Sequence, residues 1–408
     1  MTGLTQQQPG SAGAEVAAPA YWSGVFAMSL CVFTLIASEF MPVSLLTPMA
    51  VDLQLTEGLV GQGISISGAF AVATSLCIPT LAGQLDRKWL LLALTALMAV
   101  SGAMVGMASA YGPYLAGRAL IGVVVGGFWS LSAATAMRLV PPAQVGRALA
   151  IFNGGNALAT VVAAPLGSYL GSVLGWRGAF LCLIPVALVT LVWQWASLPA
   201  MPAQRRRKGA GHAFSMLSSR PVALGMAACG AFFTGQFLLF TYVRPFLETV
   251  THASPARLSL VLLAIGLAGL VGTSWSTRLL RQGLYRALLA TPLLMALLAL
   301  ALIPAGAWII PVTVLLACWG FLATAAPVGW WSWVAQAMPQ DVEAGGGLMV
   351  AVIQLAIAAG SATGGLLFDT SGYRSTFGVS AAVLLLAALL AFLTARAQAS
   401  RSPCRGSC

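Results

Sequence analysis

Of the 20 Lys and Arg and the 9 Asp and Glu in this 408-residue chain, only Glu39 and Arg118 stand well inside long apolar runs. A carboxylate or guanidinium in hydrocarbon is costly, and such residues usually face a cavity, where they carry protons or bind solute. At about 1.5 Å of helix per residue, Glu39 and Arg118 lie roughly 10 and 8 Å below the same boundary. The pair reads either as a proton-coupling centre or as a structural ion pair locking two helices. Carboxamides form the second group: Asn153 and Asn156 share one helix face with Thr160, and Gln236 and Gln354 stand in other apolar runs. They offer paired donors and acceptors to a solute or serve as interhelical glue, the reading favoured for Asn153 and Asn156. Aromatic faces come third. Arg118, Gly122, Val125, Trp129 and Ser132 recur at i, i+4, i+7, i+11 and i+14, one stripe of a helix, which makes Trp129 the first stacking candidate. Trp330, Trp331 and Trp333 are alternates, with Trp333 better suited to anchoring at the membrane interface.

Much other chemistry is missing. His212 and His252 fall between apolar runs, and the seven cysteines show no zinc or disulfide spacing. No Ser/His/Asp set gathers, and the glycines at 266, 269 and 272 lack the Lys-Ser/Thr of a phosphate cradle. An enzyme, a metal site and a bound cofactor are not expected.

The elements that position these residues follow from composition. The chain is 59% hydrophobic and 7% charged, with a mean hydropathy of +0.91, whereas soluble chains carry about 25% charged residues. Apolar runs long enough to cross a bilayer fall at about 22–46, 60–82, 89–111, 113–137, 147–170, 178–198, 222–243, 257–279, 284–304, 308–337, 346–367 and 375–395. Twelve spans put both termini on one side. Fifteen of the 20 basic residues then share that side and four lie opposite, so the termini are expected in the cytoplasm. Scattered basic residues do not form a nucleic-acid-binding stripe.

The division expected is a cytoplasmic tail (1–21), a six-helix half (22–198), a linker (199–221) containing Arg205, Arg206, Arg207 and Lys208, a second half (222–395) and a cytoplasmic tail (396–408). Shifting the sequence by 197 residues supports two repeats. Gly167, Gly175, Arg177 and Phe180 fall on Gly364, Gly372, Arg374 and Phe377, Phe40 falls on Phe237, and Glu39 falls on Gln236. The fold class is all-α integral membrane, with twelve transmembrane helices in two pseudo-symmetric six-helix halves. Parallel six-helix repeats with a solute site between them are the plan of major facilitator transporters.

Local motifs carry a resemblance to that superfamily. Gly83-Gln84-Leu85-Asp86-Arg87-Lys88 resembles a shortened form of its cytoplasmic loop motif, with Asp86 and Arg87 as gating residues and Ala82 where glycine is usual. Arg118 to Gly122 is similar to the fourth-span motif, with Ile121 where glutamine is common. Ala164 to Gly171, followed by Gly175-Trp176-Arg177, resembles the fifth-span motif of drug:proton antiporters, carried here by Pro165 and Gly167 and associated with export. The strings at 38–53, 126–142, 235–245, 327–338 and 350–360 are similar to bacterial exporters of purine ribonucleosides within that family. The resemblance implies a proton-coupled antiporter of the bacterial inner membrane that exports inosine- or guanosine-type nucleosides, with spans 1, 4, 7 and 10 lining its cavity. The partners implied are solute, protons and the lipid bilayer, without nucleic acid or an obligate protein partner. An exporter of drugs, sugars or amino acids is the alternative.

Overall fold

The computed structural model describes residues 20–81, 85–141, 144–202, 215–281, 283–339 and 341–399. The expected tails up to residue 19 and from 400, the basic run at 205–208, Gly83, Gln84 and Pro142 lie outside these residues, as do the side chains of Asn153 and Ser132. The first half contains α1 (Trp22–Leu53), α2 (Glu57–Leu81), α3 (Arg87–Gly106), α4 (Tyr111–Leu139), α5 (Val145–Leu181) and α6 (Leu183–Ser197). The second contains α7 (Arg220–Phe240), α8 (Val243–Thr249), α9 (Pro255–Arg281), α10 (Leu284–Ala305), α11 (Ile309–Ala337) and α12 (Val342–Ala399).

Ten helical stretches are long and apolar enough to cross a membrane. Two of them, Arg147–Ser197 and Gly345–Ala399, hold 51 and 55 residues. At the helical rise each is roughly 80 Å long, more than twice a hydrocarbon core of about 30 Å. Each breaks once at a glycine with positive φ: Gly175 at 74° and Gly372 at 75°. With ψ of 164° and −179°, both occupy a region essentially reserved for glycine. The chain reverses there. Gly167 seats against Ser44, well along α1, whereas Leu198 lies against Gly24 near its start. Two crossings in each long stretch give twelve in all.

The repeat survives in three dimensions. Trp176 meets Phe180 edge-on at 6.5 Å, and Tyr373 meets Phe377 edge-on at 5.9 Å, the same pair 197 residues later. Gly167 packs on Met41 and Ser44, while Gly364 packs on Leu238 and Tyr242. Each half has its own apolar core, around Leu35, Val125 and Phe128 in the first and Phe232, Trp319 and Trp333 in the second. Glycines let backbones approach closely enough to dispense with polar glue. A Cβ on Gly126 would stand 2.1 Å from the Ala71 carbonyl, and one on Gly272 would stand 2.1 Å from that of Phe321.

The halves meet toward the face opposite the chain ends, here termed the far face. Asp369, near the far end of the first arm of α12, accepts from Thr56 Oγ1 at 2.5 Å and from the Gly58 amide at 3.0 Å at the start of α2. Ser259 of α9 donates to Ser168 of α5 at 3.0 Å, and Arg244 donates to the Ser44 carbonyl. Gly266 of α9 lies against Val161, whose carbonyl lost its helical donor because Pro165 has no N–H.

Candidate functional site

Glu39 lies midway along α1 and is 4% exposed. Its carboxylate does not pair with Arg118. Among the described residues its side-chain donor is Gln354 of α12, at 3.3 Å, so the bond crosses between the halves. Arg118 is 1% exposed and spends its donors on backbone and hydroxyl oxygens. It reaches the carbonyls of Ser38 at 2.9 Å, Glu39 at 3.0 Å and Gly63 at 3.2 Å, and Ser67 Oγ at 3.2 Å. The expected ion pair is therefore corrected: the guanidinium ties α4 to the backbones of α1 and α2, and the carboxylate faces the other half. A buried carboxylate whose side-chain hydrogen bond comes from a neutral amide, and not directly from a guanidinium, is suited to gaining and losing a proton.

Gln236 occupies the matching position of α7, and its Oε1 is buried without a hydrogen-bond partner among the described residues. An unmet acceptor of this kind is costly unless a ligand or water satisfies it. Next to these polar groups, Phe40 and Phe237 stack with centroids 5.8 Å apart.

The tryptophans separate. Trp129 is half-buried and meets Phe128 edge-on at 6.1 Å. Trp330 is 2% exposed and lies edge-on to Trp333 within the second half's core. Trp333 is fully buried with its ring against Gly225, which corrects its expected place at the membrane interface. The stripe on α4 also divides: Gly122 seats against the Ser67 backbone and Val125 enters the first core, so the five positions do not share one open cavity. Asn156 is half-buried and makes no interhelical hydrogen bond among the described residues; its carbonyl accepts from Thr160 at 2.9 Å.

Asp86 caps α3, accepting from the Lys88 amide at 2.8 Å and, through both oxygens, from the Met201 amide at 3.0 Å. The Arg87 amide donates back to the Met201 carbonyl at 2.9 Å. In this conformation those contacts of Asp86 and Arg87 stay within the first half. Pro165 and Gly167 sit where α5 lies on α1, with Gly167 over Ser44. Of the isolated cysteines, Cys31 and Cys229 are buried, whereas Cys77, Cys182 and Cys318 face outward instead of packing inside.

Sequence reasoning passed over Ser67, Asp369 and the Phe40–Phe237 contact. For the phenylalanines the signal was present, since they coincide under the 197-residue shift. The inter-half partners of Asp369 carry no local pattern.

Comparison with known proteins agrees with this architecture. The family described as the Major Facilitator Superfamily matches residues 28–346. A Pseudomonas aeruginosa protein named transcription regulatory protein OpdE is 62% identical over 381 residues, covering 93% of this chain and 95% of that protein. The purine ribonucleoside efflux pump NepI of Salmonella enteritidis is 40% identical over 369 residues, covering 90% and 93%. In fold, the crystal structure of a bacterial homologue of the human lysosomal transporter Spinster, inward-facing and unoccupied, aligns at a TM-score of 0.76 with 14% identity, covering 97% of this chain and all of that one. By a sequence match over most of its length and by its paired six-helix halves, the chain belongs to the Major Facilitator Superfamily.

Proposed function

We propose that this protein is a proton-coupled antiporter that exports purine ribonucleosides of the inosine and guanosine type across the bacterial inner membrane, with both termini in the cytoplasm. The observation that carries the reading is the buried Glu39 carboxylate, bonded across the halves to Gln354 and not to Arg118. Proton and solute then compete for one cavity. Protonation of Glu39 from outside favours release, and its deprotonation toward the cytoplasm restores affinity. Gln236 supplies an acceptor for the base or ribose, and Trp129 and Asn156 add further contacts from the first half. Trp330 does not belong to this set, being packed in the second core. Asp86 and Arg87 act at the cytoplasmic gate in the part of the cycle where that face closes. The identity to NepI supports the solute class, and the excess of basic residues toward the chain ends supports the orientation.

The name of the 62% relative fits the same reading if its effect on transcription is indirect, since export of an inducing solute changes gene expression without contact to DNA. Purified protein in weakly buffered detergent tests the proposal. Inosine is expected to bind and to release up to one proton per chain, seen with a pH-sensitive dye. Binding of lipophilic cations, sugars or amino acids in place of inosine, or inosine binding without proton release at any pH, overturns it.

A further inference from the structure

Residues 39 and 236 are each followed by a phenylalanine, and these two rings meet. Phe40 and Phe237 stack at 5.8 Å with 27° between their planes. Because the 197-residue shift relates them, their contact lies on the axis between the halves. Phe237 is 4% exposed and braced edge-on by Phe240 at 6.0 Å. Phe40 is only half-buried and touches the cores of both halves. Beyond the pair, toward the far face, the halves are sealed: Arg244 bonds the Ser44 carbonyl, and Gly61 leaves room for the Tyr242 hydroxyl. The stacked rings thus stand on the axis about one helical turn to the chain-end side of that seal. Glu39 and Gln236 precede the two rings in α1 and α7, so the Glu39–Gln354 hydrogen bond and the unmet Gln236 Oε1 lie at about the same depth along the axis.

A stacked aromatic pair on the axis, with hydrogen-bonding groups at the same depth, suits a flat heterocycle, which stacks by its face and pairs by its rim. We infer that Phe40 is the ring on which the transported base stacks, with Phe237 as its backing, and that this pair sets the preference for bicyclic over monocyclic bases. The inference rests on the proposed nucleoside export. A larger ring overlaps more of Phe40 and gains more from it.

Equilibrium binding of labelled inosine and uridine to purified wild type, Phe40→Leu and Phe40→Trp tests the assignment. Stacking is worth enough that Phe40→Leu should weaken inosine about 10- to 100-fold. Uridine should lose less, so the inosine-to-uridine ratio narrows, and Phe40→Trp should restore it. If Phe40→Leu does not fold, Phe40→Met takes its place, filling the volume without an aromatic face. Unchanged inosine affinity in the aliphatic variant overturns the inference. So does an equal loss for both nucleosides without rescue by tryptophan, which marks Phe40 as packing alone. If wild type binds neither nucleoside, the export reading fails and the inference fails with it.

Discussion

Replacing Glu39 with glutamine removes one titratable group while keeping the shape of the side chain and an oxygen to accept from Gln354. Among the described residues, Glu39 is the only acidic one that lies midway along a membrane crossing, and its repeat counterpart is the neutral Gln236. In the proposed cycle, one carboxylate would carry one proton. A proton entering the cell is worth about 2.3 kcal/mol per 100 mV and about 1.4 kcal/mol per pH unit. Under 100 mV and one pH unit, a neutral nucleoside is therefore concentrated several hundred-fold, and the limiting ratio changes about tenfold for each further pH unit. In inside-out vesicles, wild-type protein should accumulate labelled inosine toward that limit when a proton gradient is imposed. Glu39→Gln should still exchange labelled for unlabelled inosine, because the cavity is intact, but its accumulation ratio should fall to about one. Gradient-driven accumulation by Glu39→Gln at the wild-type level would refute Glu39 as the coupling residue. A wild-type dependence near a hundredfold per pH unit would show that a second proton is carried elsewhere.

Further expectations concern the frame around that carboxylate. Arg118→Met strands three carbonyls and a hydroxyl that the guanidinium now satisfies. At about 0.6–1.7 kcal/mol per hydrogen bond in membranes, the loss of the four bonds is on the order of 2–7 kcal/mol, measurable as a lowered midpoint of unfolding in detergent; an unchanged midpoint would mean that water replaces the arginine. Asp369→Asn weakens the clasp on Thr56 and Gly58 by removing its charge. A loss of about 1–2 kcal/mol shifts the closed-to-open ratio of the far face roughly 5- to 30-fold, which spin-label distances between α2 and α12 should report as a new longer population. Gly372→Ala places a Cβ in open space, with nothing within 4 Å, so its cost is that of the backbone alone. Unfolding should show about 1–3 kcal/mol, with a similar value for Gly175→Ala and near-additivity in the double variant.

The span count and the two halves were legible because they depend on length and on chemistry local to each segment. A 197-residue shift that pairs Gly175 with Gly372 and Phe180 with Phe377 needs no knowledge of packing. The rotation of each helix was much less legible. In α11 the residues around Trp330 are apolar on every side, so no pattern distinguishes the face toward lipid from that toward the core or the cavity, and neighbouring helices decide. Glycine in α4 misleads for the same reason: Gly122 shares a stripe with Arg118, yet its role is set by the α2 backbone that approaches it. Arg118 and Glu39 were found by their cost in hydrocarbon, but that cost does not say which partners meet it, and carbonyls meet it for arginine as readily as a carboxylate. The repeat itself supplies the remaining discrimination. Where the halves agree, as at the glycine breaks and the paired aromatics behind them, the shared residues build the frame. Departures require another reason. Arg177 pairs with Asp52 at 2.5 Å, whereas its counterpart Arg374 bonds only the neighbouring Tyr373 hydroxyl among the described residues. Glu39 takes an amide from the opposite half, whereas its counterpart Gln236 keeps an unmet oxygen. The second departure sits where the halves meet, so under the proposed mechanism a change in protonation at Glu39 would be passed across the Gln354 bond to the other half, which is the asymmetry a coupled cycle needs.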